Sequence, residues 1–315
     1  MSQAAYPEYT VPAFQRDSAA VNALLEQMRR LAAFFLKLRR LLGCDLLWRD
    51  RAAYLFDEGW DRLIGVARTG VRRYRLRGGG AVLLRHGSTD RRVFDEVFLE
   101  KIYAPGIARF AAGGAPTILV DLGANIGLST VFLARRLKLT RIVAVEPSPD
   151  NFRLLLENTQ DLAGRCTALN AFAGAERGFA HLVDAGFGAW GLRMGAASSY
   201  GTPVLPLAEI LPAAPGARIL LKCDIEGSER HLFRNIRDWE HLVDFILLEL
   251  HTEFFTAAEL EHCLEESGYD WVRYGAVKPG AVLAILTLQR THRKSVARYN
   301  QLNDSRDSSR GAAAM

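Results

Sequence analysis

Two acidic residues with a glycine turn between them are the part of this chain best suited to hold a ligand. Asp121 closes an apolar run, Ile118-Leu119-Val120, and leads into Leu122-Gly123-Ala124-Asn125-Ile126-Gly127. A helical pattern follows from Leu128 to Leu137, and a second apolar run, Ile142-Val143-Ala144-Val145, ends in Glu146-Pro147. The pattern is strand, glycine turn, helix, strand, with an acid at the tip of the second strand. Glycines let the backbone turn sharply and let a ligand approach it closely. Glu146, 25 positions after Asp121, stands where a ribose diol needs an acceptor with two oxygens. An ordinary βαβ turn without a ligand is the plain alternative. The combination with Glu146-Pro147 favours a site for an adenosine-containing cofactor.

Spacing also discriminates between cofactors. A pyrophosphate loop uses G-x-G-x-x-G, so that a helix N-terminus faces the paired phosphates. Here the glycines are spaced G-x-x-x-G, with Asn125 between them and Asp121 ahead. S-adenosylmethionine (SAM) carries no phosphate; it offers a sulfonium, an amino-acid end and a ribose. Asp121 suits the ammonium group, Gly123 lets the ligand pass close to the backbone, and Asn125 supplies amide hydrogen bonds. Gly127 completes the turn, and Glu146 with Pro147 is left for the ribose. SAM is the expected cofactor, and a nicotinamide oxidoreductase is disfavoured.

A second constellation follows about a hundred residues later, in Lys222-Cys223-Asp224-Ile225-Glu226-Gly227-Ser228-Glu229 and in Glu249-Leu250-His251. In a parallel sheet, ligands gather outside the carboxyl ends of the strands, which brings Asp121, Glu146, Asp224 and Glu249/His251 to one crevice. Transfer of a methyl group is an in-line displacement at carbon, so the protein must align the nucleophile and manage its proton. Asp224, ending an apolar strand, is the first candidate for a catalytic carboxylate or substrate anchor. Glu226 follows it, with a helix N-terminal charge as its structural alternative. His251 titrates near neutrality and could accept a substrate proton, or it could simply be hydrogen-bonded at a strand end. Glu229 is read as helix N-terminal charge and Lys222 as a strand-edge or ion-paired residue. No metal is assigned; the alternative lets Asp224, Glu226 and His251 hold magnesium or manganese, which an oxygen-rich set suits better than zinc.

These residues carry a family resemblance. The stretches Val120-Asp121-Leu122-Gly123-Ala124-Asn125-Ile126-Gly127-Leu128-Ser129, Val145-Glu146-Pro147-Ser148-Pro149 and Leu221-Lys222-Cys223-Asp224-Ile225-Glu226-Gly227-Ser228-Glu229 resemble the FkbM family of SAM-dependent methyltransferases. Val93-Phe94-Asp95-Glu96-Val97-Phe98-Leu99 is similar to the segment preceding that family's core, and the likeness covers roughly residues 93–290. The resemblance implies a class I methyltransferase fold and methyl transfer to a hydroxyl of a carbohydrate or secondary metabolite. A protein that keeps this fold to bind SAM or a partner without turnover is the alternative. In one place the chain departs from the family pattern. Where the family commonly places an acid a few residues after the third strand, Ala173-Gly174-Ala175 stands here.

The elements that must position these residues alternate. Strands are expected near 118–121, 142–146, 166–170, 219–224 and 244–250, with a terminal pair near 270–274 and 281–288. Helices are expected near 128–138, 149–159, 228–236 and 257–267. The result is an α/β, Rossmann-like, doubly wound and mainly parallel seven-stranded sheet with an antiparallel last strand. Residues 178–207, rich in Gly, Ser and aromatics including Trp190, read as an irregular lid or mobile loop. Three regions follow: an N-terminal helical cap over 1–90, the methyltransferase domain over 91–290, and a disordered tail over 291–315. Within the cap, Leu24, Met28, Leu31, Phe35 and Leu38 recur at three- and four-residue steps along a helix over 21–42. Arg29, Arg30, Lys37, Arg39 and Arg40 decorate it, so a packed cap and a peripheral membrane segment are both open, with the packed cap favoured.

Composition sets the outer bounds. Residues 1–115 carry a net charge of +7 and the remainder −2, which leaves room for an acidic partner or membrane surface. No nucleic-acid signature accompanies the basic region. The four cysteines form no C-x-x-C pair and suit a reducing, cytoplasmic location. No apolar run approaches the ~20 residues needed to span a bilayer. A small-molecule or glycan acceptor is the expected partner, and oligomeric state is not readable.

Overall fold

The computed structural model describes residues 17–64, 69–112, 116–184, 192–278 and 281–293. Of the tail expected over 291–315, residues 291–293 are strand and the rest lies outside the described residues, as does Trp190. The chain divides after Cys44 into two units. The first contains one helix, Asp17–Leu42 (α1). On its apolar stripe Leu24, Met28, Leu31 and Phe35 are between 57% and 62% exposed. The three-and-four spacing was read correctly as a helix, but periodicity does not say what covers an apolar face.

The second unit opens with Trp48–Ile64 (α2) and a hairpin of Val71–Arg75 (β1) with Ala81–Arg85 (β2). Asp90–Phe94 (α3) runs on as a π-helical turn, Asp95–Glu100, before Ala104–Ala112 (α4). The alternating core follows: Ile118–Leu122 (β3), Leu128–Ala134 (α5), Arg141–Val145 (β4), Pro149–Asn158 (α6) and Cys166–Leu169 (β5). Three further strands, Phe172–Gly174 (β6), Gly178–Asp184 (β7) and Leu192–Ser198 (β8), lead to Thr202–Pro206 (β9) and a short turn of helix, Leu207–Ile210 (α7). Ile219–Cys223 (β10), Glu229–Arg234 (α8), Phe245–His251 (β11), Ala257–Glu266 (α9), Tyr269–Tyr274 (β12) and Leu283–Arg293 (β13) complete the domain.

Seven strands form the main sheet in the order β5-β4-β3-β10-β11-β13-β12. The first five are parallel, and β13 runs antiparallel to both β11 and β12. In sequence rank within the sheet this is 3-2-1-4-5-7-6, the class I methyltransferase arrangement. The order reverses beside β3, and ligands in open α/β sheets sit at such a switch point. The strands read as apolar runs because both faces are covered: every residue of β3 and β10 is buried. Trp239, Phe233 and Phe255 pack together on one face of the sheet core.

One expectation fails within this domain. The segment after Gly178 is not irregular but supplies β7, β8 and β9, which join β6 in a separate sheet of order β6-β9-β7-β8. Its strands were hidden because the usual alternation is inverted. Phe179 and Val183 point to solvent while the small Ala180 is buried.

Candidate active site

The turn after β3 is fixed by sterics rather than by a ligand. Gly123 has φ +70°, and a Cβ there would sit 1.7 Å from the Asp224 carbonyl oxygen. Only glycine allows the ends of β3 and β10 to approach this closely. Gly123 and Ala124 N–H both donate to the Val145 carbonyl at 3.0 Å, tying the turn to β4. Asn125 takes φ +50°, a left-handed conformation that asparagine tolerates. Its backbone N–H donates to Glu146 Oε2 at 2.9 Å.

Glu146 is held from both sides. Oε1 accepts the Ser148 N–H at 2.9 Å and sits 3.4 Å from Asn151 Nδ2. Burial pushes its carboxyl up to about 7 despite the hydrogen bonds from Ser148 and Asn125. A supporting chain runs outward: Asn151 Oδ1 accepts from Arg85, whose guanidinium pairs with buried Asp90 at 2.8 Å. Asn170 Nδ2 donates to the carbonyls of Glu146 and Pro147 at 2.8 and 3.0 Å and so fixes this corner of the backbone. Asn158 pins the same turn from beneath by donating to the Ile126 carbonyl at 2.7 Å. None of Asn151, Asn158 and Asn170 was singled out in the sequence. An asparagine inside or just after an element has no periodic signature.

Gly123, Asn125, Glu146 and Pro147 line one cleft of about 400 Å³, within the range of small-molecule sites. Asp224, Glu226, Glu249 and His251 line its other side, and Ala171, Phe172, Ala173 and Met194 give it an apolar wall. The carboxyl ends of β3, β4, β10 and β11 thus open onto a common space.

Two expected cofactor residues stand elsewhere. Asp121 is fully buried and does not line the cleft. Its Oδ2 accepts from the hydroxyls of Ser129 and Thr130 at 2.7 and 2.6 Å, and its Oδ1 lies 3.4 Å from Lys222 Nζ. Its charge faces those two hydroxyls and that lysine. Gly127 is the left-handed residue before α5, and a Cβ there would press on Leu155 at 2.8 Å, so its role is packing.

Lys222 lies in the middle of the sheet, not at its edge. It donates to the Gly123 carbonyl at 2.9 Å and pairs with Asp224 at 3.1 Å. Burial acts to lower its pKa, but the charges of Asp224, Asp121 and Glu249 outweigh it and hold the ammonium above its ordinary value. One cation therefore links the glycine turn, Asp121 and Asp224.

On the far side, Glu226 (φ +54°) aims Oε2 at His251 Nε2, 3.3 Å away, and Asp224 Oδ1 is 4.0 Å from the same nitrogen. Glu229, read from sequence as helix N-terminal charge, heads α8 and is completely buried. Its Oε1 accepts the Ile225 N–H at 3.0 Å and meets His251 Nδ1 at 3.0 Å. Burial works to lower the His251 pKa, yet the bonds to Glu226 and Glu229 and the charge of Asp224 lift it to about 11. The three carboxylates around His251 therefore favour its protonated form. One ligand atom each from Asp224, Glu226 and His251 lie within 4.8 Å of one another, close enough to share a cation. Glu249 also reaches the cleft, and its carboxylate accepts a short hydrogen bond from buried Tyr103. Burial, followed by the Asp224 charge, raises its carboxyl well above the usual range.

Residues 121–271 match the profile of the methyltransferase FkbM domain. Among solved structures, the chain is similar to the methyltransferase FkbM from Methylobacillus flagellatus KT, with 22% identity over 57% of this chain and 46% of that one and a TM-score of 0.38. It is also similar to P. horikoshii TYW2 in complex with MeSAdo, with 16% identity over 77% and 83% of the two chains and a TM-score of 0.41. For M. jannaschii TYW2 in complex with AdoMet the figures are 12% identity, 73%, 89% and 0.39. The chain spans less than half the length of the Methylobacillus protein. No curated protein matches it.

Proposed function

Because residues 121–271 match the methyltransferase FkbM domain, we propose that the protein binds SAM in the β3–β4 half of the cleft and transfers its methyl group to a hydroxyl oxygen of a carbohydrate or secondary metabolite. The observation that carries this reading is Glu146. It is a buried carboxyl at the tip of β4, with both oxygens anchored by N–H donors and its open side toward the cleft. That is the acceptor a ribose diol requires. The neighbouring Asn125 Oδ1 is buried without a hydrogen-bond partner, which fits a polar ligand group beside it. Ala171, Phe172 and Ala173 would seat an adenine ring through apolar contact, in place of an acid at that position.

The cofactor supplies a methyl on a good leaving group, so the carbon–sulfur bond breaks as the carbon–oxygen bond forms. The chain's task is to hold the acceptor hydroxyl in line and take its proton. Among the carboxylates that line the cleft, Asp224, Glu226 and Glu249 come from the ends of β10 and β11. Glu249, hydrogen-bonded to Tyr103 and largely shielded from water, is the proton acceptor in this reading in its ionised form, which grows as pH rises toward its raised pKa. Asp224 and Glu226 orient the acceptor hydroxyls, and imidazolium His251 keeps these two acids together and balances their charge. A second reading has Asp224, Glu226 and His251 hold magnesium or manganese. The Glu229–His251 bond favours it, because a carboxylate on the far ring nitrogen is how metal-binding histidines are oriented.

Methyl transfer from labelled SAM across a panel of glycans, lipid-linked sugars and metabolites tests the activity. Labelled product in one class identifies the acceptor; SAM binding without product in any class favours a non-catalytic binding protein. Activity abolished by EDTA and restored by magnesium or manganese would promote the metal reading above the Glu249 account.

A further inference from the structure

We infer that helix α1 is a membrane-surface segment that lies along an anionic bilayer, with its apolar face in the lipid and its arginines at the headgroups. This rests on α1 itself and not on the methyl-transfer reading. At 3.6 residues per turn, Val21, Leu24, Leu25, Met28, Leu31, Phe35 and Leu42 fall on one face, and all are at least 45% exposed. Phe34 and Leu36 widen that face on its two sides and are about half exposed. An exposed contiguous apolar face of this size marks an interaction site.

Charge and width decide what covers it. Arg29, Lys37 and Arg40 stand off that face and Arg39 falls within it in the last turn, against only Asp17 and Glu26 as acids in the whole helix sequence. From residue 27 to residue 44 there is no acid at all. A second copy of the helix would fit the strict three-and-four seam. Coiled-coil pairs, however, use a narrow seam flanked by charges that choose the partner. Here the flanking positions are Leu25, Phe34 and Ala32, which no opposite charge can pair with and which an acyl layer accepts. A broad apolar face rich in Leu and Phe, backed by a basic one, is the composition of in-plane amphipathic helices. No described helix is long and apolar enough to cross a membrane, so α1 lies on a bilayer rather than through it.

The test is co-sedimentation of the full chain with phosphatidylcholine vesicles, with and without phosphatidylglycerol. The protein should pellet with the anionic vesicles and be released by salt. Leu31→Glu/Phe35→Glu should weaken that binding at least ten-fold while SAM affinity stays unchanged, since neither side chain is packed in a core. Arg29→Gln/Arg39→Gln should weaken it by about five-fold per charge, and only on anionic vesicles. No vesicle binding, or equal binding to neutral and anionic vesicles, would overturn the inference. So would light scattering that finds a dimer which Leu31→Glu/Phe35→Glu converts to monomer, because the face would then be covered by a second copy.

Discussion

Glu146 and Glu249 are buried carboxyls on opposite sides of one cleft, and the surroundings of each suit a different task. Glu146 is pinned by N–H donors to accept two hydroxyls, so Glu146→Ala should leave the fold intact and weaken SAM at least ten-fold. A lost charge-assisted hydrogen bond is worth about 1.5–3 kcal/mol. Binding to a diol needs the ionised carboxylate. With its pKa pushed up to about 7 by burial, SAM affinity should rise as pH increases from 6 to 8 and then level off. A flat pH profile by calorimetry would argue against the diol assignment. Glu249→Gln keeps the shape and a partner for Tyr103 but removes the proton acceptor, so kcat should fall roughly a hundred-fold or more while the SAM dissociation constant barely moves. Equal losses in both would make Glu249 structural. Glu146, Asp224 and Glu226, singled out in the sequence because each stands at a strand tip or turn in an apolar context, all line the cleft. The same reasoning misplaced Asp121, since a strand-end acid looks the same whether it faces a ligand or, as here, the hydroxyls of Ser129 and Thr130.

At the scale of elements, the turn between β3 and α5 is set by the crossing of two strand ends. Gly123→Ala must bring a methyl into the Asp224 carbonyl and hold φ +70°, a conformation costing a non-glycine residue about 1–3 kcal/mol before any clash. A lowered melting temperature and loss of SAM binding are expected. Gly164→Ala, with open space around it, is the control and should do neither. A Gly123→Ala protein with wild-type stability would contradict the close approach. Element type was legible wherever burial on both faces leaves a continuous apolar run, as in β3, β4, β10 and β11. It was not legible in β1, where Arg72, Arg73 and Arg75 surround a single buried Tyr74, or in β7, where the larger side chains face water.

For the molecule as a whole, the mainly parallel sheet follows from a pattern visible in the sequence, apolar runs alternating with amphipathic helices and then a final hairpin, while the strand order was implied only by the family resemblance. What the pattern could not give is what covers each surface, since the apolar stripe of α1 has the same spacing under a packed cap as on a membrane. The central claim is that the switch point beside β3 is a SAM site. It is tested most directly by titrating the purified full-length protein with SAM and, separately, with NAD by calorimetry, alongside Glu146→Ala. Saturable binding of SAM at one site, at least ten-fold weaker in Glu146→Ala, with no heat from NAD, is the predicted result. A folded wild-type protein that ignores SAM, or that binds NAD in its place, would contradict it.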